Sequence, residues 1–184
     1  DGAATMPAQE KASARGRITT FLNSILRTRN DISLILIAGL NGETLTHDEG
    51  IRINETVDIP EQEWYRRAMA STGEAVVSSS HVQNIVAGEY RWVITLSRTI
   101  NDPATGEVYG VMLVDLNFSV INDLLSRISL GRKGYMYIVD GSGSIVYHPR
   151  QELIYSDIEE EQIERVLTIP EDSFSVSTDR GERI

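Results

Sequence analysis

Three groups of residues in this chain have the types and spacing to recognise a small molecule: an aromatic pair, a carboxylate inside an apolar run, and polar side chains on one strand. Trp64 and Tyr65 are adjacent on a segment that reads as a helix over Pro60 to Ser71. Pro60 suits its start, Glu61 and Glu63 sit near the positive end of the helix dipole, Trp64, Tyr65 and Ala68 turn inward, and Gly73 closes it. Flat aromatic faces can wall a pocket for an amine or a sugar; they can equally be the core and rim of an ordinary helix. Asp115 interrupts the apolar run Val111 to Leu116, and alternation places it with Val111 and Leu113, away from Met112, Val114 and Leu116. A buried unpaired carboxylate is costly, so Asp115 calls for Arg98, Arg66, a ligand amine or backbone donors, unless it caps the helix beginning near Phe118. On the strand Trp92 to Arg98, alternation separates Trp92, Ile94, Leu96 and Arg98 from Val93, Thr95 and Ser97. Thr95, Ser97 and Arg98 line a pocket or serve the sheet itself.

Other chemistries find little support. His47, His81 and His148 fit no compact zinc pattern, and there is no cysteine, so no metal site and no thiol nucleophile is assigned. Asp140-Gly-Ser-Gly143 resembles a calcium loop only in composition, because it lacks the further acidic ligands and the terminal glutamate. Glu159 to Glu161 reads as a solvated helix start. A hydrolase or transferase built on Asp115 and a histidine needs two groups converging in one cleft, and no nucleophile elbow, phosphate loop or dinucleotide fingerprint is present. No catalytic residue and no cofactor is therefore expected. The 184 residues carry 17 basic and 27 acidic side chains, a formal charge of -10, with no Lys/Arg block, so nucleic acid and anionic membrane surfaces are not expected partners. With 41% hydrophobic residues the chain can bury a core, and no apolar run is long enough to span a bilayer.

The elements that must position these residues follow an α+β order. Residues 1–16 read as a tag or disordered lead-in. From Arg17, the spacing of Ile18, Phe21, Leu22, Ile25 and Leu26 predicts a helix to Asn30. Strands are expected at 32–38, 43–47, 75–79, 90–100 and 107–117, with the helix of Trp64 between the second and third. A second helical pattern, Phe118 to Ile128, leads to Gly134-Tyr-Met-Tyr-Ile-Val-Asp-Gly-Ser-Gly-Ser-Ile-Val-Tyr-His-Pro149, which reads as a hairpin turned at Asp140 to Gly143 and stopped by Pro149. An acidic helix at 157–167 and a strand at 173–178 complete the pattern. With about three strand candidates, this last part is expected to pack on the first helix or to be an incomplete module.

In this order, Trp64-Tyr65-Arg-Arg-Ala68, Val76-Val-Ser-Ser79, Trp92 to Arg98, Gly110 to Leu116 and the hairpin from Gly134 to Pro149 resemble the double Cache sensors, PAS-like extracytoplasmic domains, most closely those of Gram-positive histidine kinases. The resemblance covers residues 17–178. It implies a signalling helix at 17–30, a membrane-distal module at 31–118, a connecting helix at 119–133 and a partial membrane-proximal module at 134–184. It also implies a cell-membrane receptor whose transmembrane helices flank this segment, feeding a two-component kinase or, alternatively, a chemoreceptor. A homodimer through the N-terminal helix is expected.

In relatives that bind amino acids, the tryptophan-tyrosine pair walls the pocket, an arginine two residues before it grips the carboxylate, and a later aspartate holds the amine. Here Gln62 stands at the arginine's place, and a neutral amide cannot make the bidentate charged contact. That disfavours a free amino acid and leaves an amine, a sugar or another small metabolite, with Trp64, Tyr65, Trp92, Thr95, Arg98 and Asp115 as its ligand-binding residues. A solute-binding protein is the alternative partner.

Overall fold

The computed structural model describes residues 7–71, 73–125, 127–128, 134–141, 143–150, 163–168, 176–178 and 181–183. The chain divides into two compact units, Asp1–Ser129 and Leu130–Ile184. The architecture is α+β, as the order of elements predicts.

The first unit opens with helix α1 (Ala8–Leu26), which starts earlier than the apolar period suggests. Residues from Ala8 onward are already helical, and this corrects the lead-in assigned to 1–16. Alanines at 8, 12 and 14 are strong helix formers, and Lys11 and Arg15 are held by ion pairs to Glu43. Only Leu22 of the predicted apolar face is fully buried; Ile18 and Phe21 remain exposed. Strands β1 (Ile32–Gly39) and β2 (Thr44–Thr46) form a hairpin turned at Gly42, whose φ of +80° is a conformation that favours glycine. Helix α2 (Glu63–Ala70) follows, then β3 (Val76–Val77), β4 (His81–Gln83), β5 (Arg91–Asn101), β6 (Val108–Leu116) and helix α3 (Ser119–Leu125).

The sheet runs β2-β1-β6-β5-β3, with β4 also pairing β5, and every pairing is antiparallel. Register makes the two faces chemically different. Leu34, Asp115 and Thr95 lie side by side across β1, β6 and β5, and the next rows are Leu36-Leu113-Ser97 and Ala38-Val111-Thr99. All nine residues are buried. Trp64, Tyr65 and Ala68 of α2 and Ile85 join this face in one core, with Ile51, Ile53, Val57, Ile59 and Val86 packed around it. Strands β1 and β6 approach closely where β1 ends: a Cβ at Gly110 would lie 2.3 Å from the Ala38 carbonyl oxygen, so only glycine fits there.

The second unit contains the expected hairpin, β7 (Ile138–Val139) and β8 (Ile145–Tyr147), whose turn is closed by Gly143 N–H donating to the Asp140 carbonyl at 3.0 Å. Helix α4 (Ile163–Thr168) lays Ile163 and Leu167 over Gly143. A further hairpin, β9 (Val176–Thr178) with β10 (Gly181–Arg183), was not anticipated beyond its first strand. The start of the helix expected at 157–167 lies outside the described residues.

Candidate functional site

Helix α2 forms where Trp64, Tyr65 and Ala68 can face the sheet together while Glu63 and Arg67 pair across one exposed turn at 3.3 Å. The two rings meet edge to face, centroids 5.7 Å apart. The helix is tied down at its start, where Ser97 Oγ donates to the Trp64 carbonyl at 2.9 Å. Gln62 is the N-cap residue; its side chain turns back to donate to the Asp58 carbonyl at 3.0 Å.

Asp115 sits on the buried face of β6, 1% exposed. Its Oδ1 accepts from Thr95 Oγ1 at 2.5 Å and from Gln83 Nε2 at 3.3 Å. Its Oδ2 is buried with no hydrogen-bond partner among the described residues. Burial pushes the carboxyl up to about 6, against the opposing pull of the Thr95 and Gln83 hydrogen bonds and of His81. Thr95 Oγ1 also lies 3.3 Å from His81 Nε2, so β4 supplies two of the groups surrounding the carboxylate. Ser78, the next residue across the same row through its N–H to the Thr95 carbonyl, carries a second buried hydroxyl with no partner. The Trp64 indole N–H is a third such orphan. Buried polar groups are normally satisfied; with Thr99 Oγ1, four on this face lack a partner among the described residues, and they mark a place built to receive polar atoms from elsewhere.

A small cleft opens onto this face. Leu34, Gln83 and Asp115 form its inner part, and Val86, Glu89 and Arg91 its outer part. The space is about 20 Å³, room for one water molecule. Anything larger requires the Val86–Glu89 turn to move.

The predicted site residues therefore separate. Trp64, Tyr65, Thr95 and Asp115 share the buried face. Trp92 and Arg98 do not: alternation along β5 turns both to the opposite face, and Arg98 Nε donates to the Gly73 carbonyl at 2.6 Å. Neither Arg98 nor Arg66 pairs with Asp115, since Arg66 reaches Glu61 instead. Asp115 is not a helix cap either; Asn117 Oδ1 performs that role by accepting from Ser119 N–H at 2.9 Å. Gln83 is missing from the sequence-predicted site because β4 is only three residues long, and Glu89 and Arg91 because they sit on a turn and at a strand's first residue. The polar side chain of Gln83, two residues from His81, was the available signal. Among the described residues no group of acidic or histidine side chains is arranged to hold a metal ion.

A family model described as Cache domain, of the double Cache type, matches residues 3–183. The chain belongs to the Cache domain family. This Cache domain is 30% identical over 88 residues to the methyl-accepting chemotaxis protein TlpB of Bacillus subtilis, covering 48% of the chain and 12% of TlpB. It is 30% identical over 95 residues to McpC of the same organism, covering 52% of the chain and 14% of McpC. The chain thus spans a small fraction of the curated relatives it matches. Among solved structures, the ligand-binding domain of the Campylobacter jejuni chemoreceptor Tlp3, in complex with 4-methylisoleucine, superposes with a TM-score of 0.65 at 19% identity, over 97% of this chain and 70% of that one. The ligand-binding domain of the Pseudomonas aeruginosa amino acid chemoreceptor PctC, in complex with GABA, gives 0.59 at 21% identity, over 75% and 59%. These likenesses establish the fold. As a Cache domain the chain is a non-catalytic sensor, and among the described residues no helix is long and apolar enough to cross a membrane.

Proposed function

We propose that this Cache domain is the extracytoplasmic sensor of a membrane chemoreceptor and that its first unit binds a small molecule carrying an ammonium group. The observation that carries the ligand class is Asp115: buried, held by Thr95 and Gln83 through one oxygen, and presenting the other oxygen without a partner at the inner end of a cleft. An ammonium supplies both the positive charge and the donors that this oxygen lacks. The methyl-accepting relatives support chemoreceptor output over the kinase output suggested by sequence resemblance.

Signalling requires the ligand to favour one arrangement of the unit over another. A cleft too small for the ligand meets that requirement, because binding must part the Val86–Glu89 turn from the sheet. Titration calorimetry with amines, amino acids and saccharides tests the reading. Ammonium compounds should bind, and Asp115→Asn should abolish the response. Binding of saccharides alone, or unchanged binding by the Asn variant, would overturn it.

A further inference from the structure

We infer that Arg91 is the carboxylate-binding residue of this sensor, and that Glu89 occupies it until a ligand bearing both ammonium and carboxylate displaces the pair. The inference rests on the reading of Asp115 as the ammonium partner. Gln62, at the N-cap of α2, has its side-chain amide committed to the Asp58 carbonyl and carries no charge. Among the described residues, the cation that lines the cleft is Arg91, at the start of β5. Arg91, Val93 and Thr95 alternate onto one face of that strand, so the guanidinium and the Asp115–Thr95 pair lie along a single line of the sheet. One end of the cleft is thus cationic and partly solvated, with the Arg91 side chain 57% exposed, while the other is a buried carboxylate.

Glu89 shows what the guanidinium accepts. Its carboxylate pairs with Arg91 at 2.9 Å, held out on the turn in which Glu89 N–H donates to the Val86 carbonyl and Gly88 takes a φ of +78°. The pair is half exposed, and exposed pairs of this kind are weak. A ligand carboxylate anchored by its own ammonium on Asp115 competes with Glu89 at high effective concentration. Exchange of one carboxylate for the other frees the Val86–Glu89 turn, the same segment that must move to enlarge the cleft.

The test uses the whole 184-residue chain and matched pairs of compounds with and without the carboxylate: alanine and ethylamine, valine and isobutylamine, 4-aminobutanoate and propylamine. Calorimetry on the wild-type chain should give about tenfold tighter binding for at least one amino acid than for its amine, the scale of a charge-assisted contact. Arg91→Gln should remove that ratio while the amine still binds, and Arg91→Lys should restore part of it. Glu89→Gln should tighten the amino acid severalfold more than the amine. If Arg91→Gln leaves the ratio untouched while Asp115→Asn abolishes binding of both compounds, the assignment of Arg91 fails and the ammonium site stands. If no ammonium compound binds the wild-type chain, or Asp115→Asn changes nothing, the ammonium site itself fails and Arg91 with it. Unchanged melting temperatures for the exposed Arg91 variants confirm that a lost ratio reports binding.

Discussion

At the scale of single residues, Asp115 is pulled in two directions. Burial favours its neutral form, while Thr95, Gln83 and His81 favour the charged one, and burial wins by carrying the carboxyl from 3.8 to about 6. Because the folded value is raised, the folded state holds more protons than the unfolded one between these two values. The associated stability is therefore fully present below about pH 4 and is lost as pH rises through 6. The shift corresponds to about 3 kcal/mol. Urea melts should thus show Asp115→Asn gaining stability relative to wild type by roughly that amount between pH 4 and pH 7.5; parallel curves for the two proteins would refute the assignment. Ammonium binding needs the charged form, so affinity should fall about tenfold per pH unit below 6, since each unit removes most of the remaining carboxylate. Thr95→Val removes a hydrogen bond that lowers the titration, and carbon NMR of the Asp115 carboxyl should place it higher still.

Elements differ in how far the sequence revealed them. The strands β5 and β6 alternate over many residues, and their rows could be read directly from Val93, Thr95 and Ser97 against Val111, Leu113 and Asp115. Which face would be covered could not, because that depends on where α2 packs. Trp92 and Arg98 were grouped with Thr95 although alternation already set them apart. The strand β4 has no period to detect; it exists because His81, Val82 and Gln83 find register with Val93, Trp92 and Arg91. A site whose donor comes from such a strand is legible only after folding. The consequences for stability belong to the elements too. Trp64→Ala removes the largest side chain of α2 from the core and should cost about 3–5 kcal/mol, measured by denaturant melts. Gly110→Ala sets a methyl against the backbone of β1, which cannot swing aside as a side chain would. It should destabilise the protein as strongly as a core truncation, and a loss below 1 kcal/mol, the size of an ordinary conservative core change, would show that the β1–β6 spacing yields.

For the molecule as a whole, the first unit contains its own core, and the candidate ligand residues all belong to it. A chain ended at Ser129 should fold cooperatively and bind the same ammonium compounds with unchanged affinity, as circular dichroism and calorimetry would show. Loss of binding in a folded truncation would assign the second unit a part in recognition. The α+β order and the second unit's hairpin were legible because turns such as Asp140 to Gly143 mark them locally. The second pairing there, β9 with β10, was not, since it joins two three-residue segments.

Two residues beyond Asp115, the chain ties a knot. Asn117 N–H donates to the Asp31 carbonyl at 2.7 Å, while Asn117 Nδ2 and Ser119 Oγ both donate to the Asn30 carbonyl, at 2.9 and 3.2 Å. The residues just past α1 and the first residue of α3 are thereby fastened to each other and to the end of the strand carrying the buried carboxylate. Two helices that could have moved independently are tied at this point by three hydrogen bonds. A displacement of Asp115 should reach both together, and Asn117→Ala with Ser119→Ala, which leaves only the backbone bond to Asp31, should loosen that link: ligand affinity stays intact while hydrogen-exchange protection at the end of α1 and the start of α3 no longer changes in step.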